Sequence, residues 1–331
     1  MDQLYLVTGA AGHLGSALIA RLLELGKDVR ALVLPGEKNI PPGDYELFYG
    51  DVTNKDDIKT FFSNPDSKDL IVIHCAGIVT ITSKFQQKVY DVNVNGTKNI
   101  VDLSRQNAVK KLIYVSSVHA IPEKPLGETM TEIYDFNPAD VVGPYAKTKS
   151  EATAYVFANS KNGLNASVVH PSGICGPYDD GRSHLTTLVI DYYKKKLTSG
   201  VAGGYDFVDV RDVVEGIIAC SEKGRAGEGY ILSNRFYEVR EILEILSRIS
   251  GKKRITQYLP FWFVKAIAPL AEIYYKILGQ PPLFTAYSIY TLNSNALFSH
   301  EKATKELGYQ TREMEVTLSD TIEWLKVRQI I

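Results

Sequence analysis

Tyr145 and Lys149 stand four residues apart in "VVGPYAKTKSEA", residues 141 to 152, a stretch that reads as the opening of a helix. Side chains four apart share a helical face, whereas Lys147, two residues after Tyr145, points elsewhere. A phenol and an ammonium on one face can act together on one bound molecule. A second group announces what that molecule contains. In "VTGAAGHLG", residues 7 to 15, Gly9, Gly12 and Gly15 lie between a strand-like run and a helical one. Glycines there permit a tight turn and let backbone N–H groups, those of His13 and Leu14 among them, approach a pyrophosphate at a helix N-terminus. The place of this turn, after a strand and before a helix, is the context that gives the motif its meaning: dinucleotide binding.

The elements that must hold these groups alternate. "LYLVTGA" (4 to 10), "DVRALVL" (28 to 34), "YELFYGDV" (45 to 52), "DLIVIHCAG" (69 to 77), "VKKLIYVSS" (109 to 117) and "ASVVHPSGICGP" (166 to 177) read as strands. Between them lie helical patterns over 13 to 26, over "KDDIKTFFS", over "YDVNVNGTKNIVDLSRQN" and from Tyr145 onward. Continuous apolar strands separated by helices predict a parallel sheet buried on both faces, an α/β Rossmann-type doubly wound fold. Beyond about residue 180 the alternation becomes irregular and more helical, with "VREILEILSRISG" and "TLSDTIEWLKVRQ" as the clearest helices. The organisation expected is a nucleotide-binding domain over 1–178 and a smaller, mostly helical C-terminal substrate lobe over 179–331. The two interleave, because strand-like pieces near 205–235 can return to the main sheet.

Bulk properties set limits. The 331 residues, 45% hydrophobic, suffice for a full core. A formal charge of -1, from 37 Lys and Arg against 38 Asp and Glu, gives no reason to expect nucleic acid as a partner. Cys75, Cys175 and Cys220 lie far apart without a Cys/His cluster, which predicts neither a metal site nor a disulfide framework and fits a reducing cytoplasm. "MDQLYLVTGAAG" enters the fold motif directly, so no signal peptide is expected. The most apolar region, 259 to 279, is interrupted by Lys265, Pro269, Glu272 and Lys276. It falls short of the ~20 mostly uncharged residues of a membrane span, and reads as one or two amphipathic helices over a pocket, with contact to a membrane surface or a subunit partner as the alternative.

The spacing of the three glycines, GxxGxxG, resembles the extended, epimerase-like branch of the short-chain dehydrogenase/reductase superfamily, and further landmarks match in order over nearly the whole chain. "GDV" at 50 to 52 resembles the family's acid-hydrophobic pair, implying that Asp51 accepts from the adenine amino group and Val52 packs on the ring. "HCAG" at 74 to 77 resembles the strand end beside the adenosine ribose, which places Ala76 and Gly77 there. "NVNGTKNI" at 93 to 100 implies that Asn93 fixes geometry behind the site. "YVSS" supplies a hydroxyl, Ser117 in preference to Ser116, and "HPSGICGP" resembles the loop along the nicotinamide, with His170, Pro171 and Ser172. His170 stands where an arginine is usual, and can either pack as a neutral structural residue or influence the charge near cofactor or substrate.

This resemblance implies roles for the opening pair. A phenol, with a pKa near about 10, is a poor base at neutral pH, and a cation one turn away stabilises its anion. Tyr145 is then the acid/base of hydride transfer, Lys149 its tuner and a ligand of the nicotinamide ribose, and Ser117 a hydrogen-bond partner of the substrate oxygen. For the cofactor, Leu34 ends the second strand where an acid would favour NAD or an arginine NADP, and Lys38 or Arg30 could meet a 2′-phosphate. NADP is the expectation, with NAD the alternative.

The C-terminal part resembles that of the 3β-hydroxysteroid dehydrogenase and dihydroflavonol 4-reductase relatives, in which apolar helices close over a hydrophobic alcohol or ketone. Phe261, Trp262, Phe263, Tyr274, Tyr275, Phe284 and Tyr287 would form such a wall. The expected function is an NAD(P)-dependent oxidoreductase acting on a secondary alcohol or ketone of a steroid-, flavonoid- or aromatic-like small molecule. A nucleotide-sugar epimerase or dehydratase that recycles its hydride is the alternative, and Arg182, Arg211 and Arg235 are its candidate diphosphate ligands. A non-catalytic NAD(P)-binding sensor is the third reading, and a homodimer is the assembly that the resemblance suggests.

Overall fold

The sheet is built where the apolar runs are longest. A computed structural model describes residues 2–37, 39–179, 183–260, 262 and 290–331. Its first half comprises β1 (Gln3–Thr8), α1 (His13–Glu24), β2 (Asp28–Val33), β3 (Glu46–Tyr49), β4 (Asp69–His74), α2 (Gln87–Tyr90), α3 (Thr97–Gln106), β5 (Lys111–Val115), α4 (Pro144–Lys161) and β6 (Ala166–Pro171). The second half follows with β7 (Gly173–Cys175), α5 (His184–Tyr193), β8 (Gly200–Val201), β9 (Gly204–Asp209), α6 (Val210–Lys223), β10 (Gly229–Leu232), β11 (Arg235–Glu238), α7 (Val239–Ser250), β12 (Tyr258–Leu259), α8 (Glu301–Leu307) and α9 (Met314–Val327).

Seven strands form one parallel sheet in the order β10-β6-β5-β4-β1-β2-β3. Because successive side chains of a strand point to opposite faces, each strand feeds two cores. Leu6, Val72, Leu112 and Val168 meet Ile100 of α3 and Val156 of α4 on one face. Val7, Ile73, Ile113 and Val169 meet Leu18 of α1 and Ile217 of α6 on the other. Chain order reverses between β1 and β4, and in open α/β sheets the crevice beyond such a reversal, at the strands' C-terminal ends, is where ligands sit.

Of the strand-like pieces near 205–235, β10 lies in the main sheet beside β6, with Ile231 opposite His170. The piece near 207, β9, lies instead in a separate three-stranded sheet between β11 and β7. Helices α5, α7 and α9 share a third core around Leu243, Leu246, Leu318 and Leu325. Helix α7 ends at Gly251, whose φ of +65° suits a residue without a Cβ.

Two local expectations change. The stretch "KDDIKTFFS" does not form a helix: it is a series of turns ending in one 3-10 turn, Thr60–Phe62. The Arg30 guanidinium donates to Phe61 O and Ser63 O at 2.7 Å each, and Ile58, Phe61 and Phe62 are buried as a plug. The helix through "NVNGT" is continuous but widened, with a π-helical stretch at Asp91–Gly96 between α2 and α3. Such widening often accompanies a functional residue, and Asn93 lies within it. Among the described residues no helix is long and apolar enough to cross a membrane.

Candidate active site

The glycine turn is close-packed against the neighbouring strand end. A Cβ on Gly9, whose φ is +69°, would stand 2.6 Å from Ala76 N, and one on Gly15 would stand 2.2 Å from Gly9 O. Bare backbone is therefore obligatory at both positions. Gly12 caps α1 without a side-chain hydrogen bond, so the helix N-terminus keeps donors that suit an anionic group. Leu14 is buried below the turn. The turn thus fits a dinucleotide pyrophosphate. His13 does more than lend its backbone: its Nε2–H donates to Pro177 O at 2.8 Å, and its Nδ1 lies 3.9 Å from Asp179 Oδ2. Burial draws its pKa down, with Asp179 opposing.

Behind the turn runs a chain of buried hydrogen bonds with a fixed direction. Ala76 N–H donates to Thr8 Oγ1 at 3.2 Å, and Thr97 Oγ1 donates to Asn93 O at 2.7 Å. His74 joins the two, with Nδ1 2.7 Å from Thr8 Oγ1 and Nε2 3.1 Å from Thr97 Oγ1. Since the Thr97 hydrogen is already given away, His74 must carry its proton on Nε2 and accept from Thr8 on Nδ1. Burial and the nearby Lys149 cation lower its pKa to about 3, so it stays neutral. The Asn93 side chain exchanges two hydrogen bonds with the Ile78 backbone, at 2.8 and 3.0 Å, and donates to Thr148 Oγ1 at 3.1 Å. Thr148 in turn donates to Tyr145 O at 2.7 Å. One asparagine thus ties the loop after β4 to the first turn of α4.

Tyr145 and Lys149 are both buried on that helix, 6% and 5% exposed, as the four-residue spacing requires of one inward face. Lys149 Nζ donates to Val115 O at 2.8 Å and lies over the Tyr114 ring at 5.1 Å. Burial lowers its pKa from 10.5 to about 8. Gly77 packs beside it: a Cβ there would stand 3.3 Å from Asn93 Oδ1 and 3.4 Å from Nζ. The two strand-end serines diverge. Ser116 Oγ donates to Thr153 Oγ1 at 2.7 Å, since the Thr153 hydrogen goes to Lys149 O. Ser117 Oγ accepts from His119 N–H at 3.2 Å, which leaves its own hydrogen to donate.

Asp51 and Val52 follow β3. Asp51 Oδ1 accepts from Thr53 N and Oγ1, both at 2.8 Å, and Val52 is buried against Gly96, where a Cβ would stand 2.7 Å from Val52 Cγ2. His170 is buried in β6, stacked on Phe136 at 5.5 Å, and donates through Nδ1 to Ser117 O at 3.2 Å; burial lowers its pKa to about 4. Pro171 ends that strand, and Ser172 donates to Asp206 Oδ1 at 2.6 Å. Arg30 is a correction. It is not placed for a 2′-phosphate, because β2 runs on to Val33 and the buried guanidinium is held by Glu46, Phe61 and Ser63. Leu34 follows β2 and is 52% exposed. Lys38, Phe261, Phe263, Tyr274, Tyr275, Phe284 and Tyr287 lie outside the described residues, as does Arg182. Trp262 is 71% exposed.

Two residues at the site escaped the sequence reading. His119 lies two residues beyond Ser117 with its ring edge-on to Tyr145, centroids 6.0 Å apart, and its Nε2 is 3.0 Å from Tyr205 OH. His119 carried a weak signal, its place just past the strand-end serines; Tyr205 carried none, since the strand that brings it belongs to the other lobe.

Comparison with known proteins agrees with this geometry. Over 98% of its length, and 99% of the other's, the chain is 28% identical to "Sterol demethylase protein B" of Methylococcus capsulatus. It is 27% identical to a 3-beta-hydroxysteroid dehydrogenase of Mycolicibacterium neoaurum, over 92% of this chain and 86% of that one. Among solved structures, that of gox2253 superposes with a TM-score of 0.84 at 29% identity, covering 98% of both chains. Residues 5–233 match the family described as "NAD dependent epimerase/dehydratase family", a span that includes the glycine turn, the Asn93 clamp and the Tyr145/Lys149 face. The chain belongs to the NAD dependent epimerase/dehydratase family.

Proposed function

We propose that this enzyme interconverts a secondary alcohol and a ketone on an apolar small molecule, exchanging a hydride with a nicotinamide dinucleotide. One observation carries the choice of substrate class. Among the described residues, Arg211 and Arg235, two of the three arginines weighed as diphosphate ligands, are committed to carboxylates, as is Arg312; the third, Arg182, lies outside the described residues. Arg211 pairs with Asp209 at 2.7 Å and Asp320 at 2.6 Å, Arg235 with Glu241 at 2.6 Å, and Arg312 with Asp209 and Asp212 at 3.2 and 3.1 Å. Uncharged rings stand beside Tyr145 instead. The names of the relatives, a sterol protein and a hydroxysteroid dehydrogenase, support the same class.

In this reading the dinucleotide supplies or accepts the hydride, and the protein handles the proton. In the direction of reduction, Ser117 donates its unused hydrogen to the carbonyl oxygen and holds it near the Tyr145 phenol. As that oxygen gains charge, Tyr145 gives up its proton to it. The Lys149 ammonium, one turn away on the same face, stabilises the phenolate left behind. Lys149 spends one N–H on Val115 O and keeps two more, which suit ribose hydroxyls. Asn93, through Thr148, holds the first turn of α4 at a fixed distance from the loop after β4. The family is NAD dependent. Of the two cations weighed for a 2′-phosphate, Arg30 is withdrawn and Lys38 alone is left to favour NADP.

The test is oxidation of NADH or NADPH, followed at 340 nm, with hydrophobic ketones and separately with UDP-sugars. Net oxidation by a ketone is the expected outcome. Conversion of a sugar nucleotide without net oxidation would refute the proposal in favour of an epimerase.

A further inference from the structure

We infer that Tyr114 is a positioning residue that holds Lys149 in its charged form, by presenting the face of its ring to a cation that the fold otherwise leaves almost uncompensated. The inference rests on the alcohol–ketone reading for its use, since a neutral Lys149 would leave the Tyr145 phenolate without its counter-charge. The contact itself can be measured without turnover.

Strand parity brings ring and cation together. Leu112 and Tyr114, two apart in β5, share the face on which α3 and α4 pack. Tyr114 is 1% exposed, with His74 of β4 and Val168 of β6 opposite it in register. The His74 ring lies near parallel to it, at 27° and 5.7 Å, which limits its tilt. From α4, Lys149 Nζ comes to 5.1 Å above the ring centroid. A ring quadrupole attracts a cation within about 6 Å.

Little else offsets the charge. Nζ donates to Val115 O, and among the described residues no carboxylate pairs with it. The titratable groups around it come from β4 and the residue after it, from β6 and from α4 itself. Burial pushes the Cys75 thiol up to about 12 and draws His74 and His170 down to about 3 and about 4, so all three are uncharged near neutral pH. Tyr145, on the same face of α4, is the phenol that the cation serves. A buried cation without a carboxylate is costly, and a desolvated cation–π contact offsets that cost by about one pKa unit.

The Tyr114 hydroxyl points the same way. It is buried and makes no hydrogen bond among the described residues; Thr97, which lies toward it, gives its own hydrogen to Asn93 O. What Tyr114 offers Lys149 is therefore its ring, and phenylalanine would serve as well.

The test is the titration midpoint of Lys149 in the whole protein without nucleotide. It is read by NMR of lysine labelled with carbon-13 at Cε, the Lys149 signal being the one that K149M removes. The wild-type midpoint is expected at about 8. Y114F should leave it within about 0.3 of a pH unit, because both rings attract a cation alike. Pentafluorophenylalanine at position 114 preserves the ring's shape but reverses its quadrupole, and should lower the midpoint by about one pH unit or more, a tenfold weaker hold on the proton. Y114M, apolar and without a ring, should lower it similarly. A merely structural role for Tyr114 would not follow the electrons of the ring. An unmoved midpoint in the fluorinated and methionine variants, or a fall in Y114F as large as in those two, would overturn the inference. The expected shifts, found in a protein whose wild type oxidises neither NADH nor NADPH with hydrophobic ketones, would uphold the contact and refute the reaction class.

Discussion

Lys149→Met should change how stability depends on pH, in the protein without nucleotide, by an amount the structure sets. Burial brings the Lys149 pKa from 10.5 in the unfolded chain to about 8 in the folded one. At about 1.4 kcal/mol per unit this is about 3 kcal/mol of charging cost. The sign follows from proton linkage. Below pH 8 both states are charged and the folded protein bears the whole cost. Between 8 and 10.5 the folded state sheds its proton first and the cost falls away; above 10.5 neither state is charged. Methionine never bears it. The variant loses the hydrogen bond to Val115 O, an offset of about 1 kcal/mol that is common to all pH values. From pH 7 to 10.5, wild type should therefore gain about 3 kcal/mol on the variant. With an unfolding entropy of about 2.1 cal/mol/K per residue over 331 residues, that is about 4 °C in Tm. Paired thermal melts at matched pH cancel every titration the two proteins share. Melting curves that stay parallel across the range would refute the claim that Lys149 is held as a costly cation.

Tyr145→Phe should abolish turnover while cofactor affinity, read by fluorescence titration, stays within about twofold, because the ring and its packing survive and only the hydroxyl proposed as acid/base is removed. Gly15→Ala should weaken cofactor binding by more than about tenfold and lower Tm, since the new Cβ would stand 2.2 Å from Gly9 O and the turn must open to admit it. Retained affinity in that variant would mean that the turn is not the cofactor's seat. Arg312→Gln should cost about 2 kcal/mol at pH 8, because it strips a partner from Asp209 and Asp212, both at most 4% exposed. The deficit should shrink toward pH 5: burial raises the Asp212 pKa to about 6, so below that value less negative charge is left without its partner. A deficit that does not vary with pH would show that the Asp212 charge is not what Arg312 neutralises.

Much of the site could be read from spacing, since its parts are local. Gly9, Gly12 and Gly15 lie within one turn, and Tyr145 and Lys149 within one helical turn, so periodicity alone puts each set together. The parallel sheet was legible for a similar reason: unbroken apolar strands can only be buried on both faces. What failed was non-local. Arg30 seemed available to a phosphate until Glu46, Phe61 and Ser63, from 16 to 33 residues further on, closed around its guanidinium. The helix expected at "KDDIKTFFS" gave way to turns whose Ile58, Phe61 and Phe62 are buried in the core, a tertiary demand that local periodicity does not show. Tyr205 was invisible because it reaches His119 across 86 residues of chain. Propensity has no access to partners of that kind.

The direction of the hydrogen-bond chain behind the glycine turn has a consequence for proton traffic. A relay conducts protons only if every link can reverse, each hydroxyl turning to give where it had received. Here one end is an amide, Ala76 N–H, and the other a carbonyl, Asn93 O, and neither can change role. The string Thr8–His74–Thr97 is therefore an insulator although every member is a potential carrier. Its dipoles are locked one way, and an extra proton on His74 would set an N–H against the Thr8 hydroxyl hydrogen.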